Sequence, residues 1–121
     1  YAGRLEETHC IDSSSATFDG DQWVTVEALV LGSERVIHYV DGNAVIEYGN
    51  LVVGGEEVNG HRPEVMRDGE PLGSGYIALQ SESHPIQFRR VEILNLKGCM
   101  DPAASNFQPW YVEPDPASCT F

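Results

Sequence analysis

Long apolar runs are missing from this chain: none approaches the roughly eighteen uninterrupted apolar residues of a membrane-spanning helix. Tyr1 opens without the charged and apolar regions of a signal peptide, so a mature or trimmed product is expected. Basic residues are scarce, with seven Lys and Arg against nineteen Asp and Glu and a formal charge of −12. Such a surface repels polyanions, which excludes nucleic acid and anionic membranes as direct partners and leaves cations and neutral ligands such as sugars. Helical periodicity is also lacking up to Leu96, and at 121 residues the chain fits one small domain with a thin core.

Cysteine is limited to Cys10, Cys99 and Cys119. The last two bracket a segment carrying Pro102, Pro109, Pro114 and Pro116, and a disulfide between them closes a loop of about twenty residues, worth roughly 3 kcal/mol. This pairing favours an oxidising compartment and leaves Cys10 either as a buried free thiol or bonded to another chain.

What is present is β pattern. WVTVEALVL, residues 23 to 31, alternates Val24, Val26, Ala28 and Val30 against Trp23, Thr25, Glu27, Leu29 and Leu31, and Gly32-Ser33 ends it. ERVIHYV then meets NAVIEY across Asp41-Gly42, a pair suited to the positive backbone angles of a type I′ hairpin turn. Residues 49 to 73 hold six glycines and read as a long surface loop. Two closing strands follow, Tyr76 to Gln80 and Ile86 to Leu96, the second with an irregularity near Arg89-Arg90. At least five closely spaced strands without βαβ alternation predict an all-β antiparallel sandwich or jelly roll over residues 1–97, followed by a stapled tail, 98–121.

Between the closing strands lies Gln80-Ser-Glu-Ser-His-Pro-Ile-Gln87, richer in polar groups than a chain reversal needs. It reads either as the mouth of a binding site or as a solvated turn whose exit Pro85 fixes.

Two separated motifs resemble the 3-keto-disaccharide hydrolase domain family. One is the tryptophan-led strand with the hairpin His38, Asp41, Gly42; the other is Gly75, Ile77, Leu79, Gln80 with Phe88 and Arg89 in the closing pair. The resemblance covers about residues 5 to 97 and matches the C-terminal half of a laminin-G or concanavalin-like jelly roll, so the sandwich is expected to be partial. It implies a secreted or cell-surface bacterial module that recognises or processes carbohydrate, with hydrolysis of 3-keto-glycosides as the implied activity. Half a jelly roll exposes sheet edges, which predicts a homo-oligomer or a second chain supplying strands. The alternative reading is a structural or adhesive extracellular subunit that self-associates through those edges and the tail.

The tail resembles a cysteine-bounded repeat of secreted bacterial proteins, on Gly98, Cys99, Asp101, Pro102, Ala104, Asn106, Phe107, Pro109 and Ser118-Cys119. Such modules are similar to spacers or attachment elements.

Glycoside hydrolysis by the ordinary route needs two facing carboxyl groups. Glu82, beside His84 at the turn, is the catalytic candidate, with Gln80, Gln87, Arg89 and His38 as substrate-binding groups. The same residues read blandly as a reversal, a half-buried strand histidine at 38, and an Arg89 paired with Glu92 or Glu47. A keto sugar is also open to elimination, which asks for a base and an oxyanion partner. No cofactor is required by the pattern. Calcium is the ion that the acidic loop Asp12, Asp19, Asp21 admits, while histidines 9, 38, 61 and 84 lack zinc spacing. Trp110 is expected to plug the tail against the sandwich or to serve as a sugar platform.

Overall fold

The computed structural model describes residues 1–8, 10–54, 62, 64, 65 and 67–121. They form two compact units, Tyr1–Ala78 and Leu79–Phe121. The expected all-β class holds: the described elements are five strands and a single 3₁₀ turn at Pro116–Ser118.

The first unit is built on an antiparallel sheet of β1 (Val26–Leu31), β2 (Arg35–Val40) and β3 (Asn43–Gly49), in the order β1-β2-β3. The hairpin between β2 and β3 turns on Asp41 and Gly42, with φ of 46° and 78°, the two positive angles that its sequence predicts. Asp41 also ties the turn to β1, since its carboxylate accepts from Thr25 N at 3.0 Å and its own N–H donates to Thr25 O at 2.9 Å.

The β2-β3 ladder carries a bulge. Tyr39 pairs with Ala44, but His38 pairs with Ile46, so Val45 is an extra residue on β3. Its carbonyl accepts the backbone N–H of Ser14 at 2.9 Å and the Ser14 hydroxyl at 3.0 Å, which occupies part of the β3 edge.

Because side chains alternate with period two, one inserted residue exchanges the faces of everything beyond it. One face therefore gathers Val26, Ala28 and Val30 from β1, Val36, His38 and Val40 from β2, and Ile46 and Tyr48 from β3. The other gathers Leu29, Leu31, Ile37 and Tyr39 with the exposed charges Glu27, Arg35 and Glu47. Val36 and Ile37, at 4% and 6% exposure, are the buried centres of the two faces. Of the long loop expected from 49 to 73, residues 55–61, 63 and 66 lie outside the described residues; its ends meet in an isolated bridge, Val52 with Pro71.

In the second unit, β4 (Lys97–Gly98) pairs in parallel with β5 (Glu113–Pro114), and Cys99–Cys119 forms the predicted disulfide. Three tail residues have local roles in this unit. Gly98 is buried against the ring of Tyr111, which fills the space a Cβ would take. Asp101 accepts the Ala103 N–H at 2.9 Å and starts the turn that buries Ala104. The Asn106 carboxamide donates to Ser118 O at 2.7 Å and accepts from Thr120 N at 3.0 Å, bracketing Cys119 like a strand neighbour.

The expected closing strands, 76–80 and 86–96, are not assigned as strands, and the irregularity expected at Arg89-Arg90 therefore has no ladder to interrupt. Their alternation specifies a face, but a strand also needs a partner ladder, and none pairs with them among the described residues.

Candidate functional site

The polar segment Gln80 to Arg89 is exposed throughout. The chain bends at Ser83-His84, and Ser83 has φ 67°, a left-handed conformation uncommon for a residue with a Cβ. The chain bends where the sequence predicts a tight turn, and no hairpin flanks the bend among the described residues. Glu82 and His84 make no ion pair or side-chain hydrogen bond among the described residues. Gln80 and Gln87 likewise present their amides to solvent. Of the carboxylates expected near Arg89, Glu92 accepts from Arg90 at 3.0 Å and Glu47 from Arg35 at 2.7 Å.

His38, the remaining substrate-binding candidate, stands in the first unit on the sheet face described above. Its Nε2 lies 2.8 Å from Tyr48 Oη, and the rings are tilted at 48° with centroids 5.5 Å apart. Both residues are half-buried, flanked on their strands by Val36, Val40 and Ile46. Burial pushes the Tyr48 phenol above its ordinary range, so this hydroxyl keeps its proton. Sequence reading missed Tyr48, because a regular hairpin from Asp41-Gly42 would set Tyr48 opposite Arg35, on the face away from His38.

A shallow depression lined by Asp12, Ser13, Ser14, Val45 and Glu47 flanks β3. Among the described residues no three His, Cys, Asp or Glu side chains converge on a metal position; His9 and His61 lie outside the described residues. Trp110 packs edge-on against Tyr111 at 6.2 Å and remains 43% exposed. Cys10 is exposed rather than buried. No helix among the described residues is long and apolar enough to cross a membrane.

In comparison with known families, the model of the 3-keto-alpha-glucoside-1,2-lyase-like domain matches residues 2–94. The all-β class and the expected jelly-roll sandwich fit that family. No curated protein and no solved structure matches the chain.

Proposed function

The chain belongs to the 3-keto-alpha-glucoside-1,2-lyase-like domain family, and from that premise we propose that it recognises and cleaves 3-keto-glycosides outside the cell, using the polar segment Gln80 to Arg89. A carbohydrate-related β module follows from the family itself; the activity, the exterior location and the residues are the proposal. The observation that carries it is that the matched stretch, residues 2–94, contains an exposed bend at Ser83 flanked in sequence by acid, imidazole, amide and guanidinium groups.

A ketone at C3 acidifies the neighbouring C2–H. A base, Glu82 or His84, takes that proton; the freed electron pair forms the C1–C2 double bond, and the C1–O bond breaks with its electrons on the departing oxygen, which is then protonated. Water adds back across the double bond in a later step. Gln80, Gln87 and Arg89 supply donors for hydroxyl and ketone oxygens. The disulfide Cys99–Cys119 supports export, since such bonds persist in oxidising compartments. The test is release of the leaving alcohol from a 3-keto-glucoside by the full chain, with the unoxidised glucoside as control. Release from the keto sugar alone, reduced at least about 100-fold in Glu82→Gln or His84→Gln, supports the reading. Equal release by both variants and wild type refutes the assignment.

A second reading, an extracellular structural or adhesive subunit that self-associates, is favoured by a different observation. Ile77, Leu79, Ile86, Phe88, Val91 and Ile93 are all at least half exposed, an unusual amount of apolar strand sequence to leave in water. Assembly that grows with concentration, together with absence of glycoside cleavage, would support this reading over the enzymatic one.

A further inference from the structure

The stapled tail lies outside the matched residues 2–94 and carries a recess of its own. Met100, Asp101, Pro114, Pro116, Cys119 and Phe121 line a depression of about 300 Å³, at the lower end of the size of small-ligand sites. The disulfide and the β4-β5 pairing fix it in place, since Met100 follows Cys99 and Pro114 is the last residue of β5. Its walls are apolar except for the carboxylate of Asp101.

That carboxylate is only half used. Its Oδ1 accepts the Ala103 N–H at 2.9 Å, and the side chain makes no ion pair among the described residues. From Gly98 to Phe121 the sequence holds Asp101, Glu113 and Asp115 but no Lys, Arg or His. Lys97, just before this stretch, is taken by Glu113 at 2.7 Å. The tail thus has a negative recess that its own side chains do not neutralise, which calls for a cation from outside it.

The walls decide which cation fits. A calcium ion takes about six to eight oxygens, and one carboxylate among Pro, Met and Phe side chains does not supply them. A lysine instead lays its methylene stem along apolar surface and keeps its charge at the rim. The planar fork of arginine matches two free carboxylate oxygens, whereas an ammonium is a point charge that one oxygen can meet. We propose that this depression is a docking site for a lysine side chain of a partner protein, its stem against Met100, Pro114, Pro116 and Phe121 and its ammonium on Asp101 Oδ2. The formal charge of −12 draws such a basic partner toward the chain. The site is independent of the keto-glycoside reading above.

Titration of the full chain with Nα-acetyl-lysine methylamide, followed by ¹H–¹⁵N and methionine-methyl correlation spectra, tests it. The lysine derivative is expected to shift the signals of Met100, Asp101 and Cys119. The matching norleucine derivative keeps the stem and lacks the ammonium, and is expected to bind at least about fivefold more weakly; added salt narrows the difference. Asp101→Asn is expected to lower the lysine affinity by about the same factor. Asparagine keeps an Oδ1 for the Ala103 N–H, and the Thr120 amide, bonded to Asn106, reports whether the variant tail is folded; the norleucine comparison needs no variant. No shift at these residues, equal affinity for the two derivatives, or a folded Asp101→Asn chain that binds lysine as tightly overturns the proposal. So does an arginine derivative that binds more tightly than the lysine one, or calcium chloride that shifts these signals where lysine does not. Each of these failures leaves the keto-glycoside reading standing.

Discussion

Arg35 reaches Glu47 at 2.7 Å because Val45 is the extra residue between them in the hairpin ladder. A regular two-residue hairpin would set Glu47 opposite Val36 and send the two charges to different faces. The bulge instead places Ile37 opposite Glu47, so Arg35 and Glu47 become diagonal neighbours on one face while His38 and Tyr48 become diagonal neighbours on the other. One inserted residue thus puts the two pairs on opposite faces of the sheet.

Deleting Val45 is expected to undo both pairs together. Ile46 and Tyr48 would change to the face of Ile37 and the charges, and the forced repacking is expected to cost about 1–3 kcal/mol. Chemical denaturation measures the loss, and nuclear Overhauser contacts between His38 and Tyr48 are expected to vanish. A deletion variant of native stability that keeps those contacts would show that the bulge is dispensable.

In the tail, the ring of Tyr111 occupies the space beside Gly98. Gly98→Ala is expected to destabilise residues 97–121 by about 1–3 kcal/mol, as overpacking of a filled site does. Hydrogen exchange of the Asp115 amide, which donates to Gly98 O at 2.8 Å, reports the change locally. Unchanged protection there would mean that the ring yields freely.

Asn106 gives a second test of the same unit. Asn106→Ala removes the acceptor for Thr120 N and the donor to Ser118 O, at an expected cost of about 1–3 kcal/mol. Reduction of Cys99–Cys119, which spans a sequence separation of 20, is expected to cost roughly 3 kcal/mol by restoring freedom to the unfolded loop. Both losses are read by thermal unfolding, and the alanine variant should be the more sensitive to reductant.

The sheet is expected to lose stability at both pH extremes for separate reasons. The Tyr48 phenol is raised by burial, so its contribution is fully present below the unfolded value, about 10, and is lost as pH rises through the higher folded value. Glu47 is lowered by its hydrogen bond from Arg35, so its contribution is present above the unfolded carboxylate value and is lost as pH falls through the folded one. Glu47 is exposed, which makes the acid effect the smaller and sensitive to salt. Tyr48→Phe should flatten the alkaline limb and Glu47→Gln the acid limb, each leaving the other unchanged.

These residues also mark where the sequence is legible. Asp41-Gly42 declares the hairpin because few pairs accept two positive φ angles, and Cys99 and Cys119 declare the staple through the proline-rich loop between them. Val45 leaves no such mark: a bulge inserts a residue that looks like any other strand residue, so the His38–Tyr48 pair cannot be read by counting along the chain. The closing segment shows the converse. Ile77, Leu79, Phe88 and Ile93 carry a strand pattern, yet the pattern specifies which side is apolar and says nothing about the neighbour that completes the ladder. The polar segment was legible as a break between apolar stretches, and the chain bends there at Ser83; what its acid and imidazole do depends on atoms of a substrate, which no periodicity encodes.

Calorimetric titration of the full chain with a 3-keto-glucoside and with the parent glucoside shows whether it distinguishes a keto sugar from its alcohol. Measurable heat and saturable binding are expected for the ketone, at least about fivefold tighter than for the alcohol. Equal affinity for the two sugars, or binding of neither, would contradict the proposed function.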